Sequence, residues 1–174
     1  SKTHQIVRLF RSVFEYVAPY ALILTEANFP YKENISYFGE GHEANMVYKF
    51  SLPPLVMDAF ARKDTSYIRS VTERTREDLL FFDFLASHDG IGLMSAKDIL
   101  KKEDFENLLR VTEAHGGLIS YKATDGSEAP YELNISYFDA FRDSAGENRW
   151  HIEQFMVSQV VSLSFKGIPA VYIH

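Results

Sequence analysis

The chain has 174 residues, enough for one domain with a sizeable core, and 46% of them are apolar, which excludes a disordered chain. A net charge of −6 gives no electrostatic reason to expect nucleic acid or an anionic membrane as a partner. Without cysteine there is no disulfide framework and no thiolate metal site, which fits a reducing cytoplasm; no apolar run reaches the ~18–20 residues that span a bilayer. The polar start Ser1–Gln5 does not open a signal peptide.

Ile6, Val7, Leu9, Phe10, Val13, Phe14 and Val17 recur at helical spacing, and Pro19 stops the helix they predict. Ala21–Leu24 is a short continuous apolar run, the mark of a strand buried on both faces. Residues 28–42 are rich in Asn, Gly, Pro and Tyr and read as a long loop. Met46–Phe50 is a second strand. Pro53-Pro54 opens a helix over Leu55–Ala61, and Ser66–Arg76 forms another. Leu79–Leu85 is a third strand. Within Lys97–Ala114 a helix turns Phe105, Leu108, Leu109 and Val111 inward. Residues 115–148 suggest a hairpin, Trp150–Phe165 an apolar helix, and Gly167–Ile173 a fourth strand.

Short apolar strands alternating with helices imply an α/β fold with parallel pairing through right-handed crossovers. A full eight-stranded (β/α)8 TIM barrel needs ~250 residues. Four strands with long βα loops account for about half of one, so 1–174 reads as a single-domain half-barrel. The apolar run 170–173 stops abruptly, which predicts a truncated fragment. The pentapeptide Asn-Ile-Ser-Tyr-Phe occurs at Asn34–Phe38 and at Asn134–Phe138, too short a match to establish a repeat.

Two carboxyl groups stand where apolar runs break. The run Ala21–Leu24 leads to Glu26, and Leu79–Leu85 leads to Asp89. Active sites of parallel barrels lie at the carboxyl ends of the strands. Paired carboxyl groups there point to acid/base chemistry on a glycosidic bond. By spacing alone, Glu26 is also a polar strand end and His88-Asp89-Gly90 also an Asp-Gly turn.

The motifs around them resemble a known family. Thr25-Glu26-Ala27-Asn28-Phe29-Pro30, Ile35–Gly39, Met46–Leu55, Ser87–Gly92 and Gly167–His174, in that order, resemble the sucrose phosphorylase-like group of the α-amylase superfamily, from about Thr3 to His174. The resemblance implies the second half of the catalytic barrel, strands five to eight, in a glycosyltransferase that moves glucosyl from an α-glucoside to inorganic phosphate with retention. It makes Glu26 the general acid/base, Asp89 the stabiliser of the transition state and His88 a sugar ligand. Pro130–Asn134 matches a mobile loop that shapes the acceptor and phosphate site. Sucrose phosphorylases usually carry Tyr-Gln there; Tyr131-Glu132 departs from that and leans toward glucosylglycerate phosphorylase. The family's nucleophilic Asp lies upstream of the matched region, so the chain alone is expected to be inactive.

In this chemistry Glu26 protonates the leaving oxygen and then deprotonates the acceptor, which partial burial would favour. Asp89 offsets oxocarbenium charge. Asn28 faces the sugar or caps a loop, Tyr131 meets phosphate or sugar or packs in a hairpin, and Glu132 contacts the acceptor or solvent. His42-Glu43 and His115 lack metal-ligand spacing and read as solvated loop residues, and Lys101–Asp104 as an exposed helix start. No metal and no cofactor beyond phosphate is expected, and the partners are a small glucoside and phosphate. A hydrolase or transglycosylase of the same superfamily is one alternative; a non-catalytic half-barrel that self-associates through open strand edges is another.

Overall fold

A computed structural model describes residues 1–124, 127–142 and 149–173. In chain order the elements are α1 (Lys2–Val17), β1 (Leu24–Thr25), α2 (Tyr31–Ser36), β2 (Met46–Tyr48), α3 (Leu52–Arg62), α4 (Ser66–Arg74), β3 (Phe81–Phe84), β4 (Ile91–Gly92), α5 (Met94–Lys97), α6 (Lys102–Ala114), β5 (Leu118–Thr124), β6 (Ser127–Asn134), a 3-10 turn at Asp139–Phe141, α7 (His151–Leu163) and β7 (Ile168–Ala170). β1, β2, β3 and β7 form one sheet in that order, all parallel. Val47 pairs with Thr25 on one side and Phe81 on the other, and Asp83 pairs with Pro169. The expected parallel α/β order is present.

Three expectations need correction. The first strand lies at Leu24–Thr25 rather than at 21–24, because pairing begins only where Leu24 comes level with Met46. The loop 28–42 contains α2, whose Asn34 side chain donates to the Tyr48 carbonyl at 2.8 Å. The last strand spans three residues, Ile168–Ala170, not seven. The two outer strands of the sheet are therefore short. The hairpin is present as β5–β6, but it belongs to a second, antiparallel sheet in the order β4-β6-β5.

The main core forms where α3 lies under both sheets. Prolines at its second and third positions suit the first turn of a helix, and eight of its residues are buried. Leu55, Val56, Leu93, Leu108 and Leu133 join in one cluster. Burial of each large aliphatic side chain contributes about 1.5–3 kcal/mol. A second cluster joins Tyr37, Phe38 and Ala44 to Val47 and Phe81. On β3, Phe81 and Phe84 are core residues, whereas Phe82 between them is only half-buried.

α1 departs from its amphipathic pattern. Its apolar stripe faces outward, with Leu9 59% and Phe10 53% exposed, and the helix buries no residue. Apart from Val7, which packs against the second cluster, polar contacts hold it. Glu43, 1% exposed, takes hydrogen bonds from His4 and, at 2.9 Å, from Arg8. Glu43 is thus a buried anchor, not a solvated loop residue. His115 is likewise half-buried, with its Nδ1 2.6 Å from the Ala140 carbonyl. Residues 101–103 are exposed as expected, whereas Asp104 accepts a bond from the Tyr67 hydroxyl at 2.6 Å.

A second buried charge lies between the parallel sheet and its helices. Lys49 is 6% and Asp83 1% exposed, with Nζ and Oδ1 3.6 Å apart. The ammonium also sits 4.0 Å from the centre of the Phe165 ring. Burial pushes the Lys49 ammonium down and the Asp83 carboxyl up, each partly opposed by the other's charge.

Candidate active site

The site forms at the carboxyl ends of the parallel strands. β1 ends at Thr25, and Glu26 is the next residue. β3 ends at Phe84, and the chain then turns through Ala86-Ser87 to His88 and Asp89. The turn is local: the Ser87 hydroxyl accepts from the Asp89 N–H at 3.2 Å. Residues far apart in the sequence are thereby brought to one point. Polar side-chain atoms of Glu26, His88 and Asp89 all lie within 4.8 Å of one another. His88 Nε2 is 3.6 Å from Asp89 Oδ2.

All three side chains are exposed, so the described residues do not give Glu26 the partial burial expected of it. By donor type, a nitrogen and two carboxylates suit a divalent cation. By geometry, they equally suit several sugar hydroxyls, since a carboxylate accepts and an imidazole N–H donates.

The surroundings divide into an aromatic side and a hairpin side. On the sheet, Tyr48 lies 4.8 Å from Phe82 and 5.2 Å from Phe84, ring centre to ring centre. These rings and His88 line a hollow of about 200 Å³. Burial, and next the charge of Glu26, push the Tyr48 hydroxyl above its ordinary range. Tyr48 was not among the expected site residues. Its signal in the sequence was its place at the carboxyl end of the second strand.

On the hairpin side, Glu132 of β6 pairs with Gly92 of β4 and with Ser120 of β5. β6 passes so close to the rim that a Cβ on Gly90 would lie 3.0 Å from the Glu132 Cβ. Glu132 is half-buried; burial, then the neighbouring Asp89, push its carboxyl up, and Lys122 pulls it down. Glu132 therefore belongs to the same electrostatic cluster as Asp89. Tyr131 is half-buried, and its ring lies 4.8 Å from the Lys122 ammonium.

Asn28 sits differently. Its amide lies against Gly92, where a Cβ would come within 2.7 Å of it. Both amide polar atoms are buried without a hydrogen-bond partner among the described residues. The structure thus brings Glu26, His88 and Asp89 together, draws Glu132 and Tyr131 to their edge on β6, and packs Asn28 behind them against β4.

No family model matches the chain. Individual proteins do. It is 48% identical over 99% of its length to glucosylglycerate phosphorylase of Spirochaeta thermophila, covering 30% of that protein. Against glucosylglycerate phosphorylase of Allomeiothermus silvanus it is 44% identical over 98% of its length, covering 32%. Against sucrose phosphorylase of Bifidobacterium adolescentis the identity is 26% over 86% of the chain and 30% of the relative. Among solved structures, sucrose 6F-phosphate phosphorylase from Thermoanaerobacter thermosaccharolyticum matches 97% of the chain and 33% of that structure, with a TM-score of 0.74 at 18% identity. That match shows an α/β fold like part of this enzyme. The chain spans about a third of the length of the curated relatives it matches. From end to end, its resemblance is to the sucrose phosphorylase-like group of the α-amylase superfamily, whose matched members are glycoside phosphorylases.

Proposed function

We propose that the protein carrying this chain is a retaining glycoside phosphorylase whose sugar acceptor, in the synthetic direction, is a hydroxy acid of the glycerate type. The observation that carries the reading is the convergence of Glu26, His88 and Asp89 at the carboxyl ends of parallel strands. The identity of 48% to a glucosylglycerate phosphorylase, against 26% to a sucrose phosphorylase, supports the choice of acceptor, as does Glu132 where Gln is usual. In this reading β1, β2, β3 and β7 are strands five to eight of the catalytic barrel. The nucleophilic carboxylate lies on chain outside these 174 residues, so the segment alone is inactive.

The reaction has two displacements. In the first, Glu26 gives a proton to the glycosidic oxygen as the nucleophilic carboxylate attacks the anomeric carbon. The glycerate-type group leaves, and a glucosyl ester remains. In the second, Glu26 takes a proton from phosphate, whose oxygen attacks the same carbon and releases the carboxylate. Configuration is inverted twice and so retained. Asp89 sits where positive charge develops at the ring, and His88 donates to a hydroxyl.

The test uses the full-length polypeptide, glucosylglycerate and inorganic phosphate. Phosphate-dependent formation of α-glucose 1-phosphate is expected, and Glu26→Gln is expected to lower kcat by about 10²- to 10⁴-fold. Phosphate-independent release of glucose would replace this reading with a hydrolase. An unimpaired Glu26→Gln enzyme would remove Glu26 from the acid/base role.

A further inference from the structure

The rim just described is strongly negative. Glu26, Asp89 and Glu132 gather there, and an oxyanion approaching them is repelled unless a cation meets it. The hairpin brings one. Lys122 lies on β5 opposite Ala129, and its neighbouring pairs are irregular: Ser120 faces Glu132, Tyr121 faces Pro130, and Tyr131 is left as the extra residue on β6. A bulge of this kind re-aims side chains. Here the extra residue, Tyr131, is the one that meets the lysine. The Lys122 ammonium lies 4.8 Å from the Tyr131 ring centre, and its charge acts on Glu132. The side chain is exposed, and no described carboxylate forms an ion pair with it.

We propose that Lys122 is a binding residue for the anionic acceptor, its ammonium donating to an oxygen of phosphate in one direction and of the hydroxy-acid carboxylate in the other. Tyr131 holds the lysine by a cation–π contact without using up its three donors. Glu132 beside it serves the acceptor's hydroxyl side, so the hairpin offers one cation and one carboxyl to a molecule that carries both kinds of group. Phosphate and carboxylate share the chemistry that matters here, a small oxyanion. The inference rests on the phosphorylase reading above.

The experiment compares wild-type, Lys122→Gln and Lys122→Arg full-length enzyme with three acceptors: phosphate, glycerate and the uncharged glycerol. Lys122→Gln is expected to raise KM for the oxyanions about 10- to 100-fold, the worth of one hydrogen bond to a charged group. With the glucosyl donor saturating, so that its own oxyanion does not limit the rate, KM for glycerol is expected to stay within about twofold, and Lys122→Arg to restore most of the loss. A rise for only one oxyanion keeps the role and assigns that oxyanion. Unchanged KM for both, or an equal loss with glycerol, overturns it. A second measurement does not need turnover. Acetic anhydride labelling of Lys122, read by mass spectrometry, is expected to slow in saturating phosphate or glycerate, while the exposed Lys102 labels at a constant rate. If wild type shows no phosphate-dependent transfer, the phosphorylase reading fails; unprotected Lys122 in the labelling experiment overturns the present inference separately.

Discussion

Replacing Lys49 with methionine is expected to cost about 3–5 kcal/mol at pH 8, because it removes one partner of a buried ion pair and leaves the other. The Asp83 carboxylate is 1% exposed and would lose the cation 3.6 Å away. It has one escape, which is to bind a proton. For a carboxyl of ordinary pKa ~3.9, protonation costs about 1.4 kcal/mol for each pH unit above that value, hence about 5.5 kcal/mol at pH 8 but only about 1.5 kcal/mol at pH 5. Burial already pushes the Asp83 carboxyl up in the presence of Lys49, so without it the folded state holds the proton more firmly than the unfolded state does. Stability that rises as pH falls is the consequence for the variant. Urea unfolding reads this directly. With a slope of about 2 kcal/mol per molar, a loss of 4 kcal/mol moves the midpoint down by about 2 M. The deficit is expected to shrink to about 1–2 kcal/mol at pH 5. The double variant Lys49→Met/Asp83→Asn is expected to recover much of the loss at pH 8, since neither charge remains. A deficit that does not change between pH 8 and pH 5, or a double variant as unstable as the two singles summed, would refute the reasoning.

Two further outcomes follow from exposed and buried charge elsewhere. Burial raises the Glu43 carboxyl, but hydrogen bonds from His4 and Arg8 outweigh that and hold it below its ordinary range. Its folded pKa is therefore depressed, and its contribution is present above the unfolded value of ~4.3 and lost as pH falls through the folded value. Hydrogen exchange of the α1 amides should be protected at pH 7 and not at pH 3, and equal protection at both would contradict the anchoring role. The 174-residue chain should also self-associate, because the outward stripe of α1 and the exposed Ile152, Met156, Val157 and Val160 of α7 form apolar surface larger than scattered residues give. Sedimentation velocity at micromolar concentration tests this, and a clean monomer would contradict it.

Much of the parallel sheet was legible because buried parallel strands are nearly continuous apolar runs. Met46–Tyr48, Phe81–Phe84 and Ile168–Ala170 all fall inside such runs. The placement of Glu26, His88 and Asp89 was legible for the same reason: each follows directly on a run whose end marks the rim. Buried charges left no such trace. Glu43 and Asp83 look in sequence like any acidic residue near a turn or strand, and only the folded chain brings Arg8 to one and Lys49 to the other. The apolar stripe of α1 misled in the opposite sense, since periodicity identifies a face and not what covers it.

The repeated pentapeptide makes the division plain. Asn34-Ile35-Ser36 closes helix α2, with Asn34 buried and bonded to the Tyr48 carbonyl. Asn134 ends strand β6, exposed, with its amide on the Ser120 hydroxyl, and Ile135-Ser136 leave the strand. Five identical residues have one set of intrinsic preferences, and those differ by at most about 1 kcal/mol between conformations. The sequence by itself determined which segments are apolar enough to be strands and where acidic residues interrupt them. Tertiary structure decided what a marginal segment becomes, because a ladder of backbone bonds to β5 or a buried amide bond to β2 outweighs so small a preference.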